Sequence, residues 1–176
     1  MHQLTPSVAI RPIAAGDHLA LFDVIERNRD RLREFFPGTT RAIDSLDAAE
    51  GYVAARIQQV ARKDGYFFTI TAGEDIIGAI IIKELNWRVP KCELAYFIDA
   101  AYEGKGIITA AVQWTVDYCF EELAMEKICI MLSPANERSR KVALRSGFTK
   151  EGHMRNEFRT GHGQLTDVEY YGLSRS

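Results

Sequence analysis

The chain has 176 residues, a formal net charge of -2, and 47% hydrophobic against 26% charged residues. This length is typical of one domain, and the near-neutral charge argues against a protein that binds nucleic acid mainly through its phosphates. No apolar run approaches the roughly 18 residues that a membrane-spanning helix needs. The N-terminal stretch MHQLTPSVAIRP lacks the basic and then apolar pattern of a signal peptide, so we expect no export.

The cysteine and histidine residues show no pattern typical of a disulfide or metal site. The 3 cysteines are widely separated in apolar surroundings, and no two of them have the C-x-x-C spacing. The 4 histidines form no ligand motif such as H-E-x-x-H. We therefore interpret the cysteines as buried free thiols in a reducing cytoplasm, and we expect no metal.

In chain order, the hydrophobic pattern predicts a strand, two helices, three strands, a helix, a strand, a helix and a closing hairpin. The predicted strands are 8–12, 66–71, 76–82, 92–98, 126–132, 148–159 and 166–173. The predicted helices are 18–33, 45–63, 107–123 and 137–146. The strand 76–82, IIGAIII, is apolar throughout, which predicts burial on both faces by helices. The fold class is α/β (α+β), with a mixed, twisted sheet of seven strands flanked by about four helices and containing a parallel strand pair.

The turn Glu103-Gly104-Lys105-Gly106 lies between an apolar strand and a long helix. Glycines before a helix N-terminus leave its free N–H groups accessible, and the helix dipole adds about half a positive charge there. The turn is not a P-loop, because Lys105 is followed by glycine, and Thr109 stands where a dinucleotide fingerprint has its third glycine. The position favours a phosphate site, although surface turns also contain G-x-G.

Asn136 and Ser139 begin the helix that follows the next strand. Both residue types commonly cap helices, which is the alternative to a functional role. The asparagine amide can also hold an amide-bearing ligand, and the serine hydroxyl can give a proton. If the parallel strands separate, this turn lies beside the glycine turn, at the edge where ligands of α/β sheets bind.

Glu93 is an acid in an apolar strand, which is costly unless the carboxylate is paired or faces a cleft. Burial would raise its pKa and suit it to general-base catalysis. The alternative is a structural ion pair with a neighbouring lysine or arginine.

Four stretches follow one another along nearly the whole chain. They are VAIRPIAAGDHLALFDVIERNRDRLREFFP, EGKGI with its long helix, NERSRKVALRSGF, and LTDVEYYGL. Together they resemble the GNAT acetyltransferase superfamily, in particular the RimJ/RimL-type protein N-terminal acetyltransferases. The resemblance implies one GNAT domain over residues 1–176, which transfers an acetyl group from acetyl-CoA to a primary amine.

The resemblance also implies which residues form the site. The strand edge would hold the pantetheine arm of coenzyme A, and the glycine turn would hold its pyrophosphate. The implied cofactor-binding residues are Phe97, Ile98, Glu103, Gly104, Lys105, Gly106, Ile107, Ile108, Thr109 and Asn136. The family signature Arg/Gln-x-x-Gly-x-Gly/Ala has Ala101 at its first position here, so we expect mainly backbone contacts.

The implied catalytic residues are Ser139 and Glu93. Many relatives use a tyrosine to protonate the departing thiolate, but the matching position here is Ala143. RimL-like members use a serine, which matches Ser139, and Glu93 would act as the base through a water molecule. Candidates for the nucleotide 3′-phosphate, each of which could equally be solvated helix surface, are Lys105, Arg140, Lys141 and Arg145.

The sequence says least about the acceptor substrate and where it binds. We expect it between residues 28–37, the Trp87 loop and the final hairpin. It could be a protein N-terminus, such as that of a ribosomal protein, or a small amine such as an antibiotic or polyamine. The alternatives are an enzyme for longer acyl chains and a non-catalytic acyl-CoA sensor. We expect no direct contact with nucleic acid or membranes, and a homodimer is left open.

Overall fold

The computed structural model describes residues 1–175 and contains an eight-stranded sheet with the order β1-β2-β3-β4-β5-β6-β8-β7. The strands are β1 His2–Thr5, β2 Val8–Pro12, β3 Tyr66–Ala72, β4 Asp75–Asn86, β5 Lys91–Ile98, β6 Lys127–Leu132, β7 Thr149–Arg159 and β8 Leu165–Ser174. The helices are α1 His18–Arg27, α2 Arg29–Phe35, α3 Pro37–Ala42, α4 Leu46–Arg62, α5 Ile107–Glu121 and α6 Glu137–Arg145. The predicted mixed α/β class is confirmed.

Helices cover both faces of the sheet, as the apolar pattern of β4 predicts. Successive side chains of a strand point to opposite faces, so β4 contributes to two cores. Ile80 packs with Val112 of α5 on one face. Ala79 packs with Val24 of α1 and Val53 of α4 on the other. Although α5 is rich in apolar residues, no helix within residues 1–175 is long and apolar enough to cross a membrane.

The centre of the sheet holds the predicted parallel pair, β5 and β6. Their register runs from Lys91 opposite Lys127 to Leu94 opposite Ile130. Beyond this point β5 continues beside β4 as far as Ile98, while β6 continues beside β8 as far as Leu132. The two strands therefore separate towards their carboxyl ends, which opens a gap in the sheet. We call this opening the central gap.

The predicted helix 18–33 is interrupted at Asn28, which has φ −117° and ψ 12°. The Asn28 side chain donates to Val24 O at 2.9 Å, and its Oδ1 accepts from the Ala100 N–H at 3.1 Å. The interruption therefore anchors α1 and α2 to the segment that follows β5. A side chain that satisfies a distant backbone group leaves no periodicity signal, so the break was missed.

The observed sheet has eight strands, one more than the seven predicted, and the additional strand is β1. This segment, HQLT, is short and largely exposed, and it pairs with β2 through His2 opposite Ile10. Its stability comes from this pairing and from the stacking of His2 on Trp114, with ring centroids 5.7 Å apart. Neither contact is visible in the local hydrophobic pattern.

Gly78 allows β4 and β5 to approach closely beside the central gap. A Cβ atom built on Gly78 would lie 2.5 Å from the backbone oxygen of Phe97 and 3.1 Å from Cα of Ile98. We expect Gly78→Ala to lower the free energy of unfolding by about 1–3 kcal/mol, because backbone atoms must move apart. The midpoint and slope of urea denaturation measure this change.

Gly51→Ala is the matched control, because a Cβ atom at Gly51 of α4 meets nothing within 4 Å. Alanine is the better helix former, so this variant should gain about 0.5–1 kcal/mol. Equal losses in both variants would show that the close approach of β4 and β5 does not limit stability.

Candidate active site

The glycine turn follows β5 and leads directly into α5. Gly104 and Gly106 have φ values of 74° and 76°, a region that residues with a Cβ atom rarely adopt. A Cβ atom at either glycine would meet nothing within 4 Å, so the turn borders open space. Gly106 is the N-cap residue of α5 and offers no side chain to cap it. The turn therefore leaves the N–H groups at the start of α5 accessible from open space, which is the geometry that an anion site needs.

The residues that follow the turn are arranged for backbone rather than side-chain contacts. Ile107 and Ile108 have buried side chains that belong to the core beneath α5, whereas Thr109 is half-buried. The Lys105 ammonium donates to Ala101 O at 3.0 Å and lies 4.7 Å from the centre of the Tyr102 ring. The lysine is thus folded back over its own turn, where it adds positive charge.

The Glu103 carboxylate lies between two guanidinium groups, those of Arg31 from α2 and Arg138 from α6. Arg31 also donates to Ile98 O at 2.5 Å and to Asn28 Oδ1 at 2.7 Å. A carboxylate that is paired in this way ties α2 and α6 to the glycine turn. Any contribution of Glu103 to anion binding would come from its backbone, since a carboxylate repels phosphate.

Ser139 lies across the central gap from Tyr96 of β5. The hydroxyl oxygens of Ser139 and Tyr96 are 2.9 Å apart, and the Ser139 N–H donates to Asn136 Oδ1 at 3.1 Å. Burial raises the pKa of Tyr96 to about 12, an effect that the hydrogen bond to Ser139 only partly opposes. The phenol therefore stays protonated at neutral pH, and Ser139 is held from both its backbone and its side chain.

Sequence reasoning missed Tyr96. The available signal was a tyrosine in an otherwise apolar strand, because a buried tyrosine usually finds a hydrogen-bond partner. The sequence could not indicate that this partner would be Ser139, which is 43 positions away.

Along β5, the backbone N–H and C=O groups of successive residues point alternately towards β4 and towards the β6 side of the sheet. The Asp99 N–H donates to Ile77 O at 2.7 Å, towards β4. In an antiparallel ladder the same orientation recurs every second residue, so the backbone groups of Phe97, opposite Ala79, also point to β4. Those of Tyr96 and Ile98 therefore face the central gap. Of the two strand residues expected to offer backbone groups to a ligand, Ile98 faces the gap and Phe97 does not; Tyr96 takes its place.

Glu93 is 8% exposed and pairs with Lys83 of β4 at 2.6 Å. Burial raises the pKa of Glu93, and the ammonium of Lys83 opposes this increase only in part. Glu93 lies three positions before Tyr96, so the two side chains point to opposite faces of the sheet. The structure thus contains the ion pair that was the alternative to a base, together with the raised pKa that suits a base.

Arg140 is engaged in contacts with the protein itself. It donates to Glu169 Oε2 at 3.2 Å and to Pro134 O at 2.5 Å, and it also pairs with Glu137. Glu169 is buried and also accepts from Lys150 at 2.6 Å. Arg140 therefore anchors α6 to β8, which makes it a poorer candidate for the nucleotide 3′-phosphate than its position in the sequence indicates.

The comparison with known protein families identifies the class of protein. Residues 7–149 match the family described as an acetyltransferase (GNAT) domain, which is most of the chain. The protein belongs to this family and is an acetyl-CoA-dependent N-acetyltransferase. This confirms the resemblance, the enzyme class and the co-substrate inferred from the sequence. The open glycine turn and the uncapped N-terminus of α5 fit a group that carries a pyrophosphate.

The chain is similar to proteins whose names point to different acceptors. YdaF of Bacillus subtilis (strain 168), whose name assigns it provisionally to ribosomal N-acetylation, is 32% identical over 168 residues, 94% of this chain and 90% of YdaF. The spermidine N(1)-acetyltransferase of Escherichia coli (strain K12) is 25% identical over 152 residues, 86% of this chain and 78% of that enzyme. A solved structure of RimL, a ribosomal L7/L12 α-N-protein acetyltransferase in complex with coenzyme A, has a TM-score of 0.90 at 18% identity and covers 98% of this chain and 96% of that chain.

Proposed function

We propose that this enzyme acetylates the α-amino group of a protein N-terminus, with residues 1–176 acting as one catalytic domain. The observation that carries the proposal is the Ser139 hydroxyl, held 2.9 Å from Tyr96 at the central gap. It offers a proton donor next to the turn that would bind coenzyme A. The similarity to YdaF favours a ribosomal protein as acceptor. The similarity to a spermidine acetyltransferase makes a small amine the second candidate.

The protonation state of the acceptor favours an α-amine. An amine must be neutral to attack, and a free α-amino group has a pKa of about 7.7–8.0, so roughly a tenth is neutral at pH 7. A lysine-like amine, with a pKa of about 10.4, is neutral in about one molecule in 2,500. An α-amine therefore needs only modest help from a base. A single carboxylate such as Glu93, whose pKa is raised by burial and only partly lowered again by Lys83, can supply that help.

Acetyl-CoA supplies the acetyl group as an activated thioester. Ser139 Oγ would donate its proton to the departing sulfur, while the Tyr96 hydroxyl donates to Ser139 Oγ. The backbone N–H groups of Tyr96 and Ile98 face the gap and could polarise a carbonyl oxygen, a contribution usually worth about 3–4 kcal/mol. Glu93 would accept the proton of the attacking amine through a water molecule, because its side chain lies on the opposite face of the sheet from Tyr96.

The reducing cytoplasm is the compartment that we propose for this enzyme. The 3 cysteines are free thiols. The buried pair Cys92 and Cys119 has its sulfur atoms 3.8 Å apart without a disulfide. Reducing compartments keep such thiols in this state.

An acceptor panel tests the proposed reaction. We expect short peptides with a free α-amine to be acetylated with kcat/KM at least about tenfold above that of spermidine, because more of the α-amine is neutral at pH 7. Release of the coenzyme A thiol measures turnover, and mass spectrometry of the product locates the acetyl group. Peptides with a blocked α-amine and a free lysine are the control. Faster turnover of spermidine than of every free peptide would overturn the proposal in favour of a small amine.

The pair formed by Ser139 and Tyr96 predicts a graded effect on turnover. Ser139→Ala should lower kcat about a hundredfold. This is the lower end of the range of rate effects of general acids, because a thiolate is a good leaving group. Tyr96→Phe should lower it less, by up to about tenfold, since it removes one hydrogen bond that orients the serine. Calorimetry should find acetyl-CoA affinity within a few-fold of wild type in both variants. A larger loss in Tyr96→Phe than in Ser139→Ala would make Tyr96 the acid.

Glu93 and Lys83 can be separated by their pH dependence. Lys83 stabilises the Glu93 carboxylate, so Lys83→Met should raise the pKa of Glu93 further and lower kcat chiefly at low pH. Relative to wild type, this variant should recover as the pH rises and the carboxylate ionises. Glu93→Gln should lose about a hundredfold and show no recovery. Wild-type kcat in Glu93→Gln would limit Glu93 to its structural ion pair.

A further inference from the structure

A cleft of about 230 Å³ lies between α2, α3 and the turn that joins β7 to β8. Its lining consists of Arg29, Arg33, Pro37, Thr40, Arg41 and Gly161. Three of these residues are arginines and none is acidic, even though the chain as a whole has a net charge of -2. The acidic side chains Asp30 and Glu34 belong to the same helix, α2, but they do not line the cleft. We call this feature the arginine cleft.

The Arg29 guanidinium is already engaged by the protein and forms part of the cleft wall. It donates to Thr40 O at 2.7 Å and to Ile43 O at 2.6 Å, and it pairs with Glu26 at 2.6 Å. These bonds hold the end of α3 against α2. The unbalanced positive charge of the cleft therefore comes from the other two arginines.

Arg33 and Arg41 are exposed, and within residues 1–175 no carboxylate forms an ion pair with either. The Arg33 side chain donates to Gly161 O at 3.2 Å, and the Gly161 N–H donates back to Arg33 O at 3.0 Å. A Cβ atom at Gly161 would lie 2.3 Å from Arg33 O, so only glycine permits this contact. One side of the cleft is thus fixed in place, while most of the Arg33 guanidinium N–H groups remain available.

The arginine cleft adjoins α2, the helix that reaches the end of β5 beside the central gap. At its start, α2 reaches the end of β5 through the bond from Arg31 to Ile98 O at 2.5 Å. Just beyond its end, Phe36 packs edge-on against Phe97, with ring centroids 5.7 Å apart. We therefore expect an acceptor whose first residue enters the gap to pass over α2, so that its next residues meet the cleft.

We propose that the arginine cleft binds a carboxylate of the acceptor, so that the enzyme selects acidic N-terminal peptides. This inference rests on the proposed function and specifies its acceptor class. Two unpaired guanidinium groups with several N–H donors each suit the bidentate recognition of a carboxylate. A polyamine would instead bring additional cations close to uncompensated positive charge, which is unfavourable.

Three matched peptides test the charge preference. They share a free N-terminal serine and differ at the third and fourth positions, which are Asp-Asp, Ala-Ala or Lys-Lys. We expect kcat/KM to decrease in that order, with about a three- to tenfold step each time, and the steps to shrink as salt is added. Calorimetric titration of the acetylated products, which does not depend on turnover, should give the same order of affinity.

Arg41→Glu is the decisive variant, because the side chain of Arg41 makes no hydrogen bond with another of the described residues. It should abolish the preference for Asp-Asp or reverse it in favour of Lys-Lys, with the melting temperature unchanged. Arg33→Gln, which keeps a donor for Gly161 O, should weaken the preference in part. Arg62→Glu, an exposed arginine at the end of α4 outside the cleft, is the control with the same change in charge.

The outcomes separate this inference from the proposed function. Equal acetylation of the three peptides, or an unchanged preference in Arg41→Glu, would overturn the proposal that the arginine cleft binds a carboxylate. Either result would leave the proposal of an α-amine acceptor in place. A preference for Lys-Lys in the wild type would also overturn it. Acetylation of spermidine alone, with no peptide modified, would overturn both.

Discussion

The separation of β5 and β6 after Leu94 and Ile130 is the constraint on which the site depends. In a sheet, backbone N–H and C=O groups normally form hydrogen bonds with the neighbouring strand. Where two strands separate, these donors and acceptors need other partners. Here the freed groups of β5 face a gap whose far side carries Ser139, and this is the opening where we propose that the acetyl group is transferred. The same divergence sets the glycine turn and the start of α6 on either side of one opening.

Side chains stabilise this opening from three directions. Glu103 joins the glycine turn to α2 through Arg31 and to α6 through Arg138. Tyr96 bridges the gap to Ser139, and Arg140 secures α6 to β8 through Glu169. Each contact joins segments distant in sequence, so the geometry of the site is a property of the assembled sheet rather than of any local motif. The positions of α2 and α6 relative to the glycine turn are thus fixed by these contacts.

The sequence predicted those features that arise from local pattern. The strands around IIGAIII, the long helix after the glycine turn and the parallel pair all follow from periodicity and turn chemistry, and the structure contains them. It missed the break at Asn28, the strand β1 and the role of Tyr96, because each depends on a partner far along the chain. The sequence also left Arg140 as one candidate phosphate ligand, since nothing in it indicates that this arginine pairs with the buried Glu169 of the final strand. The identity of an acceptor is subject to the same limit, because the cleft that we propose to bind it is built from α2, α3 and the last hairpin together.

Glu103 gives the glycine turn its own internal counterion. The co-substrate of this enzyme, acetyl-CoA, is a polyanion, whereas the chain carries a net charge of -2, so the net charge of the molecule offers no long-range attraction to guide the approach. Attraction begins only within about 8 Å, the Debye length at physiological salt, where Lys105 and the two arginines outweigh one carboxylate. If the turn holds the nucleotide as we propose, capture would be a short-range event, in which the ligand arrives by ordinary diffusion and then competes with Glu103 for guanidinium groups that are already in place.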